Sequence, residues 1–344
     1  MKFYLNQRAV HIWLIALGHR TGLSLLNHSI GNFQEAANGK MALNYLDLIK
    51  EVENIPADYK WSVLYKLMLP NDPRPHGLML PETVFRMPWT SDFKVDHGSR
   101  VVQLNDASDG LNTSEICNAA FQKTIDAAID QDIFEIIHGT HSEPYRILGS
   151  RFPLQLERFS APLFGIATRG AHMTGYTFVD GVMKLWIPRR SAHLFTYPNK
   201  LDTTVAGGVK AQHTPYQCIV EEAEEEASLP RDFVSKNAKS VGVLTYMTLS
   251  GRTGLIHPDV LYLFDIEIPS HMSPTPQDDE VSEFKLMSID EIKKAMMSRE
   301  FKSNCNLVMI DFFIRHGILT PEEEPHYVEI QTKLHSSIPF PTAP

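Results

Sequence analysis

The segment from Pro215 to Ala227, PYQCIVEEAEEEA, constrains the fold of this chain more than any other, because it predicts a well-capped acidic helix. Thr214 and Gln217 fit a Thr-x-x-Gln capping box, and proline suits the first helical position. Apolar residues recur along the segment at helical spacing and predict one buried stripe. The remaining surface carries five glutamates within six positions: Glu221, Glu222, Glu224, Glu225 and Glu226.

Three of these glutamates crowd one face of the predicted helix. Glu225 and Glu226 follow Glu222 by three and four residues, a spacing at which like charges repel and destabilise a helix unless they are neutralised. No basic residue lies between Lys210 and Arg231 to neutralise them. Hard divalent cations such as Mg²⁺ or Mn²⁺ prefer carboxylate oxygens, so the pattern indicates a metal site.

A solvated acidic helix is the alternative, and it is the commoner fate of a run of glutamates. The adjacent glycines Gly207 and Gly208 favour the metal site, because glycine lets the backbone approach an ion closely. We therefore expect a glycine carbonyl, that of Gly207 in particular, to complete the ligand set. A tight turn is the simpler interpretation of the two glycines.

Residues 207–229 resemble the Nudix box, G-x5-E-x7-R-E-U-x-E-E-x-G-U, in which U is a bulky aliphatic residue. Three positions depart from it: His213 replaces the first Glu, Glu221 replaces the Arg and Ser228 replaces the last Gly. In the family the Arg orients the helix carboxylates partly through the first Glu, so losing both together is self-consistent. The family's three metal-binding glutamates are intact, and the resemblance implies an active site. The matching positions, with Ala223 a loose match, are Gly207, Glu222, Ala223, Glu225, Glu226 and Leu229.

The resemblance extends over about residues 161–330 and includes LWIPRRS, LDTTVAGG and FKSNCNLVMIDFFIRHG. These stretches are similar to one subgroup of Nudix proteins, whose members carry an extra N-terminal domain and are related to the Nudix half of fused thiamine pyrophosphokinases. The segment HGLMLPETVFRMPW, residues 76–89, looks like that N-terminal domain. The resemblance implies hydrolysis of thiamine diphosphate-type compounds to the monophosphate, particularly of oxidised, damaged forms.

Composition narrows the class of partner. The chain has 43% hydrophobic and 21% charged residues, as ordinary globular proteins do, and a formal net charge of -9 argues against a nucleic-acid-coating role. Three scattered cysteines argue against a disulfide framework and for a reducing compartment, and we expect a cytoplasmic protein. No segment approaches membrane-spanning length. The expected partner is a small-molecule diphosphate; the oligomeric state is not predicted.

The N-terminal forty residues have two interpretations. No acidic residue precedes Glu35, while Lys2, Arg8 and Arg20 are basic, which is compatible with a mitochondrial transit peptide. Because serines are few, an extension packed on the first domain is favoured. We predict an N-terminal extension at residues 1–40, an α+β domain at 41–155, a Nudix domain at 156–319 and a C-terminal tail at 320–344.

Hydrophobic periodicity predicts the other main elements and an α/β fold class, consistent with a Nudix α/β/α sandwich preceded by a smaller α+β domain. Further helices are predicted within residues 42–52, 114–130, 289–299 and 306–316. Strands are predicted at residues 163–168, 183–188, 203–205, 241–248 and 260–268. Asp180 and Gly181 predict a hairpin turn between the first two of these strands.

Five residues outside the box are candidates for the site. Arg189 and Arg190 follow a predicted strand and can grip a diphosphate in bidentate fashion, or instead pair with the glutamate helix. Trp186 can stack on a substrate ring, although an aromatic residue in a strand is more often part of the core. The resemblance implies a further carboxylate from the acidic loop before residue 284, as metal ligand or general base. Glu280 matches best and Glu283 second, with a solvated loop as the alternative.

These residues lead to one mechanistic hypothesis. Glu222, Glu225, Glu226 and the carbonyl of Gly207 hold Mg²⁺ or Mn²⁺, which binds the diphosphate and lowers the pKa of a water. Glu280 or a helix glutamate, Glu225 or Glu222, then takes the proton of that water as the phosphoanhydride breaks. Two alternatives stay open. The substrate is a nucleoside diphosphate derivative, or the chain binds diphosphates without hydrolysing them.

Overall fold

The computed structural model describes residues 43–344, which contain sheets of four, six and two strands. These residues form one compact unit. The predicted N-terminal extension at residues 1–40 lies outside the described residues, and the domain limits after residues 155 and 319 stay predictions. Among the residues that the structure describes, no helix combines the length and the apolar character needed to cross a bilayer.

The first sheet has the strand order β2-β1-β4-β3, with β1 and β4 parallel and the other pairs antiparallel. Its strands are β1 (Tyr65–Met68), β2 (Pro75–Met79), β3 (Phe93–Asp96) and β4 (Val101–Leu104). Helices α2 (Pro81–Arg86) and α3 (Thr113–Asp130) pack with this sheet, whereas the preceding helix α1 (Tyr45–Lys50) packs with the second large sheet. Helix α3 confirms the helix predicted at residues 114–130, and its predicted apolar face is buried: Cys117, Phe121, Ile125 and Ala128.

A short two-stranded sheet and a helical turn connect this region to the second large sheet. They are β5 (Pro144–Arg146), β6 (Gln155–Glu157) and α4 (Ala161–Phe164). The strand predicted at residues 163–168 is wrong. Pro162 lies in the first turn of α4, where a missing N–H costs nothing, and Gly165 ends that helix in the left-handed conformation at φ 60°.

The second sheet has the strand order β10-β11-β7-β8-β12, and β9 also pairs with β7. Its strands are β7 (Thr168–Val179), β8 (Val182–Arg190), β9 (Val205–Gly208), β10 (Lys239–Leu249), β11 (Ile256–Glu267) and β12 (Val281–Ser288). Strand β7 runs parallel to β11 and antiparallel to β8 and β9. The predicted hairpin turn is confirmed, since Asp180 and Gly181 have φ values of 52° and 78° between paired residues Val179 and Val182.

Helices cover both faces of this sheet. They are α5 (Pro215–Ala227), α6 (Arg231–Asn237), α7 (Ile289–Met297), α8 (Ser303–Arg315) and α9 (Tyr327–Leu334). On one face Met173 and Phe264 of the sheet share a core with Ile219 and Ala223 of α5. On the other face the sheet shares a second core with α1, α7, α8 and α9. The result is the three-layered α/β/α sandwich expected from the sequence, with a smaller α+β region before it.

The end of the chain is more structured than the predicted tail at residues 320–344. Helix α9 contacts β10 and α1, and its Ile330 and Leu334 are fully buried. Phe340 is also buried. The i, i+4 spacing of Ile330 and Leu334 is the only helical signal in a short segment rich in proline at its end, so the prediction missed it.

Candidate active site

The glutamate-bearing helix α5 has the cap that the sequence predicts. The Thr214 hydroxyl accepts a hydrogen bond from the backbone N–H of Gln217 (3.1 Å), and the Gln217 side chain accepts one from the N–H of Thr214 (2.9 Å). The helix ends at Ser228, which adopts the left-handed conformation at φ 54° and donates its hydroxyl hydrogen to the Thr275 carbonyl (3.0 Å). Ser228 therefore keeps the backbone conformation for which the box uses glycine.

Two residues that depart from the box contact each other. Nδ1 of His213 lies 3.1 Å from Oε2 of Glu221. His213 occupies the position of the box Glu, and Glu221 occupies the position of the box Arg. The acidic and the basic partner have thus exchanged places, and the contact between the loop and the helix is kept.

Gly207 is required by the position of the Glu222 carboxyl group. A Cβ added to Gly207 would lie 2.3 Å from Oε1 of Glu222, which is closer than real Cβ contacts come. Oε2 of Glu226 accepts a hydrogen bond from the backbone N–H of Ala206 at 3.1 Å. Glu226 is therefore hydrogen-bonded to the backbone of β9, and Glu222 lies against Gly207 of the same strand.

Glu222 and Glu226 have too little positive charge nearby to offset the effect of burial on their ionised forms. Burial raises the pKa of Glu222 to about 7, and the charge of Glu225 adds to this while Lys210 opposes it. Burial also raises the pKa of Glu226 well above its ordinary value, and Glu222 adds to this. A cation bound among these carboxylates would offset both the cost of burying their charge and their mutual repulsion. The all-oxygen donor set, with a glycine leaving the backbone open, fits Mg²⁺ or Mn²⁺.

A cleft of about 690 Å³ opens over the glutamates. The residues that the sequence predicts and that line this cleft are Gly207, Glu222, Glu225, Glu226, Glu280 and Arg190. Within residues 43–344, ligand atoms of three residues already lie within 4.8 Å of one another in two other groups: His172 with Asp202 and Cys305, and Asp126 with His141 and Glu157. The α5 carboxylates stand further apart, as mutually repelling charges do.

The adjacent residues Arg189 and Arg190 have different surroundings. Arg190 lines the cleft, where its Nη1 lies 3.3 Å from Oδ2 of Asp202. Arg189 is not among the lining residues, and its guanidinium instead lies 3.3 Å from Glu283 and 3.6 Å from Glu300. Successive residues of a strand face opposite sides, which explains the separation. The structure therefore does not bring Arg189 or Glu283 together with the glutamates of α5.

Trp186 and Glu280 are placed differently with respect to the cleft. Trp186 is half-buried against the core under α5 and does not line the cleft, so the structure does not place its ring near the glutamates. Glu280 lines the cleft, and its carbonyl accepts a hydrogen bond from the N–H of Ser191 (2.8 Å), which ties the acidic loop to the end of β8.

Asp202 pairs with two cations that line the cleft, Arg190 and Lys302, and no local sequence pattern predicts this cluster. Besides Arg190, Oδ2 of Asp202 lies 3.6 Å from Nζ of Lys302, and the Cys305 thiol donates to Oδ1 (2.8 Å). Burial would raise the pKa of Asp202, but the charge of Lys302 and its other partners outweigh burial and lower the pKa to about 2. Burial lowers the pKa of the neighbouring His172 to about 4. Because two cations already neutralise Asp202, this cluster does not suit a metal ion.

The region before the second sheet also contributes to the cleft, which no sequence signal indicated. Its Tyr145 lies against Gly208, where an added Cβ would be 1.7 Å from the phenol oxygen. Tyr145 forms a β-bridge with Lys210, and the Ala211 N–H donates to the Pro144 carbonyl (2.8 Å). The loop that precedes α5 is therefore hydrogen-bonded directly to β5. Cleft-lining residues from this region are Glu143, Tyr145, Arg158 and Phe159.

Comparison with known proteins identifies the family to which this site belongs. Residues 174–305 match the NUDIX domain. The chain is 30% identical over 321 residues to the uncharacterized protein YJR142W of Saccharomyces cerevisiae, covering 87% of this chain and 92% of the yeast protein. It is 37% identical over 205 residues to Nudix hydrolase 24, chloroplastic, of Arabidopsis thaliana, covering 58% of this chain and 55% of the plant protein. Nudix hydrolase 20, chloroplastic, of the same plant is 38% identical over the same length, which is 54% of that protein.

The match thus spans about half the length of the two plant relatives. Among solved structures, the NUDIX domain of Shewanella oneidensis NrtR complexed with ADP ribose is similar over 38% of this chain and 79% of that chain, with 14% identity and a TM-score of 0.31. The yeast protein is covered almost completely, and the NUDIX match encloses the glutamate helix α5. The chain belongs to the Nudix family and is a Nudix hydrolase, acting on phosphoanhydride bonds, with an extra N-terminal region.

Proposed function

We propose that this Nudix hydrolase cleaves the diphosphate of thiamine diphosphate-type compounds, in particular oxidised forms, to the monophosphate and phosphate. The observation that carries the hydrolytic part is that burial raises the pKa values of two box glutamates, Glu222 and Glu226, in a cleft that Arg190, Lys210 and Lys302 also line. The thiamine part is supported by the resemblance of LWIPRRS, LDTTVAGG and FKSNCNLVMIDFFIRHG to the thiamine-related Nudix subgroup.

The carboxylates of Glu222, Glu225 and Glu226, with the backbone of Gly207, would hold Mg²⁺ or Mn²⁺. When bound, such a cation neutralises charge on the diphosphate oxygens and lowers the pKa of a water molecule. The hydrogen bond from the Ala206 N–H holds Glu226, and Glu222 lies against Gly207 of the same strand. Glu280, which lines the same cleft, would take a proton from the attacking water.

Positive charge from the chain itself would bind the remaining phosphate oxygens. Arg190 and Lys302 both line the cleft and are fixed by the same carboxylate, that of Asp202, so they present a preorganised pair of cations. Lys210 lines the cleft beside Glu222 and opposes the rise in the pKa of that carboxyl group. The water then attacks phosphorus, the phosphoanhydride breaks, and the monophosphate and phosphate leave.

A panel of diphosphates tests this proposal. Thiamine diphosphate, its oxidised forms, a sugar nucleotide and a dinucleotide are each incubated with the protein and Mg²⁺, and released phosphate and monophosphate are measured. We expect the oxidised thiamine diphosphates to have the highest kcat/KM. Glu225→Gln is the control, because the exposed Glu225 side chain can be neutralised without disturbing the fold, and this variant should lose turnover. Preference for a nucleoside diphosphate derivative would overturn the substrate assignment, and undiminished activity of Glu225→Gln would overturn the site.

A further inference from the structure

An exposed phenylalanine projects at the mouth of the catalytic cleft. Phe195 lies in the loop between β8 and β9, lines the cleft and is 78% exposed. Because this aromatic side chain lies at the rim of a polar cleft and not on an open surface, its ring is available to stack on the ring of a bound ligand.

A second aromatic residue lines the same cleft from the other half of the chain. Phe159 is half-buried between β6 and α4. The exposed His138 ring lies between the two: its centroid is 4.6 Å from the Phe195 ring at 73° and 5.6 Å from the Phe159 ring at 87°. Both contacts are T-shaped, so His138 covers at most one face of the Phe195 ring and leaves the other available. His138 thus links an aromatic residue of the N-terminal region to one of the Nudix domain.

The cleft has room for a substrate larger than a diphosphate. Pockets for ligands of drug size occupy about 300–1,000 Å³, and this cleft has about 690 Å³. Besides the charged groups around α5 and Asp202, and the ion pair of Glu143 with Arg158, the lining includes Leu194 and Phe195, which suit an uncharged or aromatic group. Arg158, whose guanidinium lies 5.1 Å over the Phe159 ring, lines the cleft from the side of the N-terminal region.

We propose that Phe195 and Phe159, linked by His138, form an aromatic clamp in which Phe195 stacks on the planar heteroaromatic ring of the substrate and Phe159, with Arg158 over one of its faces, bounds that ring from the side of the N-terminal region. This proposal rests on the proposed function, since the ring belongs to the same molecule whose diphosphate reaches the α5 glutamates. It assigns ring selectivity to a residue pair drawn from both halves of the chain. The extra N-terminal region then takes part in substrate recognition, and its hydrogen bonds to the loop before α5 hold the clamp in register with the metal-binding residues.

Binding measured without hydrolysis tests the clamp. In the Glu225→Gln background with Mg²⁺, calorimetry gives the Kd of ring-bearing diphosphates (thiamine diphosphate and ADP-ribose) and of inorganic pyrophosphate, which has no ring. Phe195→Ala should weaken the tightest ring-bearing ligand about 10-fold, because ring stacking on an aromatic side chain contributes about 1–3 kcal/mol. The affinity for pyrophosphate should be unchanged, and Phe195→Trp should restore the affinity for the ring-bearing ligand.

Phe85→Ala is the matched control, because Phe85 is 67% exposed and does not line the cleft. This variant should bind every ligand as the parent does. The clamp would be overturned if Phe195→Ala weakened the binding of pyrophosphate and of the ring-bearing ligands equally, or weakened neither. It would also be overturned if the parent protein bound no ring-bearing ligand more tightly than pyrophosphate. Failure of the proposed function looks different: the protein with Glu225 intact would hydrolyse none of the diphosphates while clamp-dependent binding persisted.

Discussion

The carboxyl group of Glu222 fills the space that a side chain on Gly207 would need, with Oε1 only 2.3 Å from the position of the missing Cβ. A glycine of strand β9 and a glutamate of helix α5 are therefore fitted to each other. This contact sets how closely the Glu222 carboxyl group approaches the sheet, and it places the first residue of the box against the glutamate helix.

Replacing this glycine should misplace the metal ligand. Gly207→Ala would force Glu222 away from β9, and we expect kcat/KM to fall about 100-fold, since a displacement of about 1 Å in a catalytic group has effects of that size. Gly251→Ala is the control, because a Cβ added to Gly251 would meet no atom within 4 Å. Equal kcat/KM for the two variants would contradict the role of Gly207.

The buried glutamates should make the metal-free protein sensitive to pH. The pKa of Glu222 in the folded state is raised to about 7, and that of Glu226 is raised well above its ordinary value. A carboxyl group with a raised pKa contributes stability that is complete below the unfolded pKa, about 4.3, and is lost as the pH rises through the folded pKa.

We therefore expect the Tm of the metal-free protein to fall relative to that of Glu222→Gln between about pH 4.3 and 7. The comparison with Glu222→Gln removes the opposite effect of buried His172, whose lowered pKa adds stability in both proteins as the pH rises. Mg²⁺ should raise the Tm more at pH 8 than at pH 5, because it binds the ionised carboxylates. Thermal melting of both proteins with and without chelator measures these effects. A parent Tm that rises relative to that of Glu222→Gln across this range would show that the Glu222 carboxyl group is stabilised in its ionised form.

The exchanged pair His213 and Glu221 should tolerate a return to the family arrangement. His213→Glu with Glu221→Arg recreates an acid on the loop and a base on the helix, so the double variant should be more stable than the single changes predict together. Both side chains are about one-third exposed, and solvent screening limits the expected coupling to about 0.5 kcal/mol. A double-mutant cycle by urea unfolding measures it; a coupling energy of zero would mean that the contact contributes nothing.

Asp202 should contribute strongly to the stability of the folded protein. Asp202→Asn would leave Arg190 and Lys302 with their charges close together and without the buried counter-charge. Breaking a buried ion pair in this way costs about 3 kcal/mol of unfolding free energy. Urea unfolding of the variant, with Asp109→Asn as an exposed control, tests this. A loss no larger than that of the control would show that Asp202 is not needed to hold the cations.

The box helix was predictable from sequence because every signal for it is local. The capping residues Thr214 and Gln217, the proline after the cap and the apolar stripe all act within four residues, and the observed helix has the predicted limits. The same holds for the turn at Asp180 and Gly181. By contrast, a short apolar run such as residues 163–168 does not distinguish a strand from a helical turn. In the structure Pro162 lies in the first turn of α4, where proline favours a helix.

The rest of the site depends on contacts that are distant in sequence. Asp202 and Lys302 are a hundred residues apart, and a β-bridge between Leu201 and Phe301 brings their segments together. Tyr145 reaches Gly208 through a β-bridge that carries no pattern in the sequence. Arg189 and Arg190 are indistinguishable by residue type, and only the end of β8 and the adjacent loop determine that Arg190 alone faces the cleft.

Titration with Mn²⁺ tests the role of the three α5 glutamates most directly. Calorimetry or the paramagnetic resonance signal of free Mn²⁺ gives the Kd for the parent protein and for a variant with Glu222, Glu225 and Glu226 all changed to Gln. The parent should bind Mn²⁺ saturably, and the variant, with its circular dichroism unchanged, should bind at least about 10-fold more weakly because the charged oxygen ligands are gone. Equal affinity of the two proteins for Mn²⁺ would show that the cation binds elsewhere.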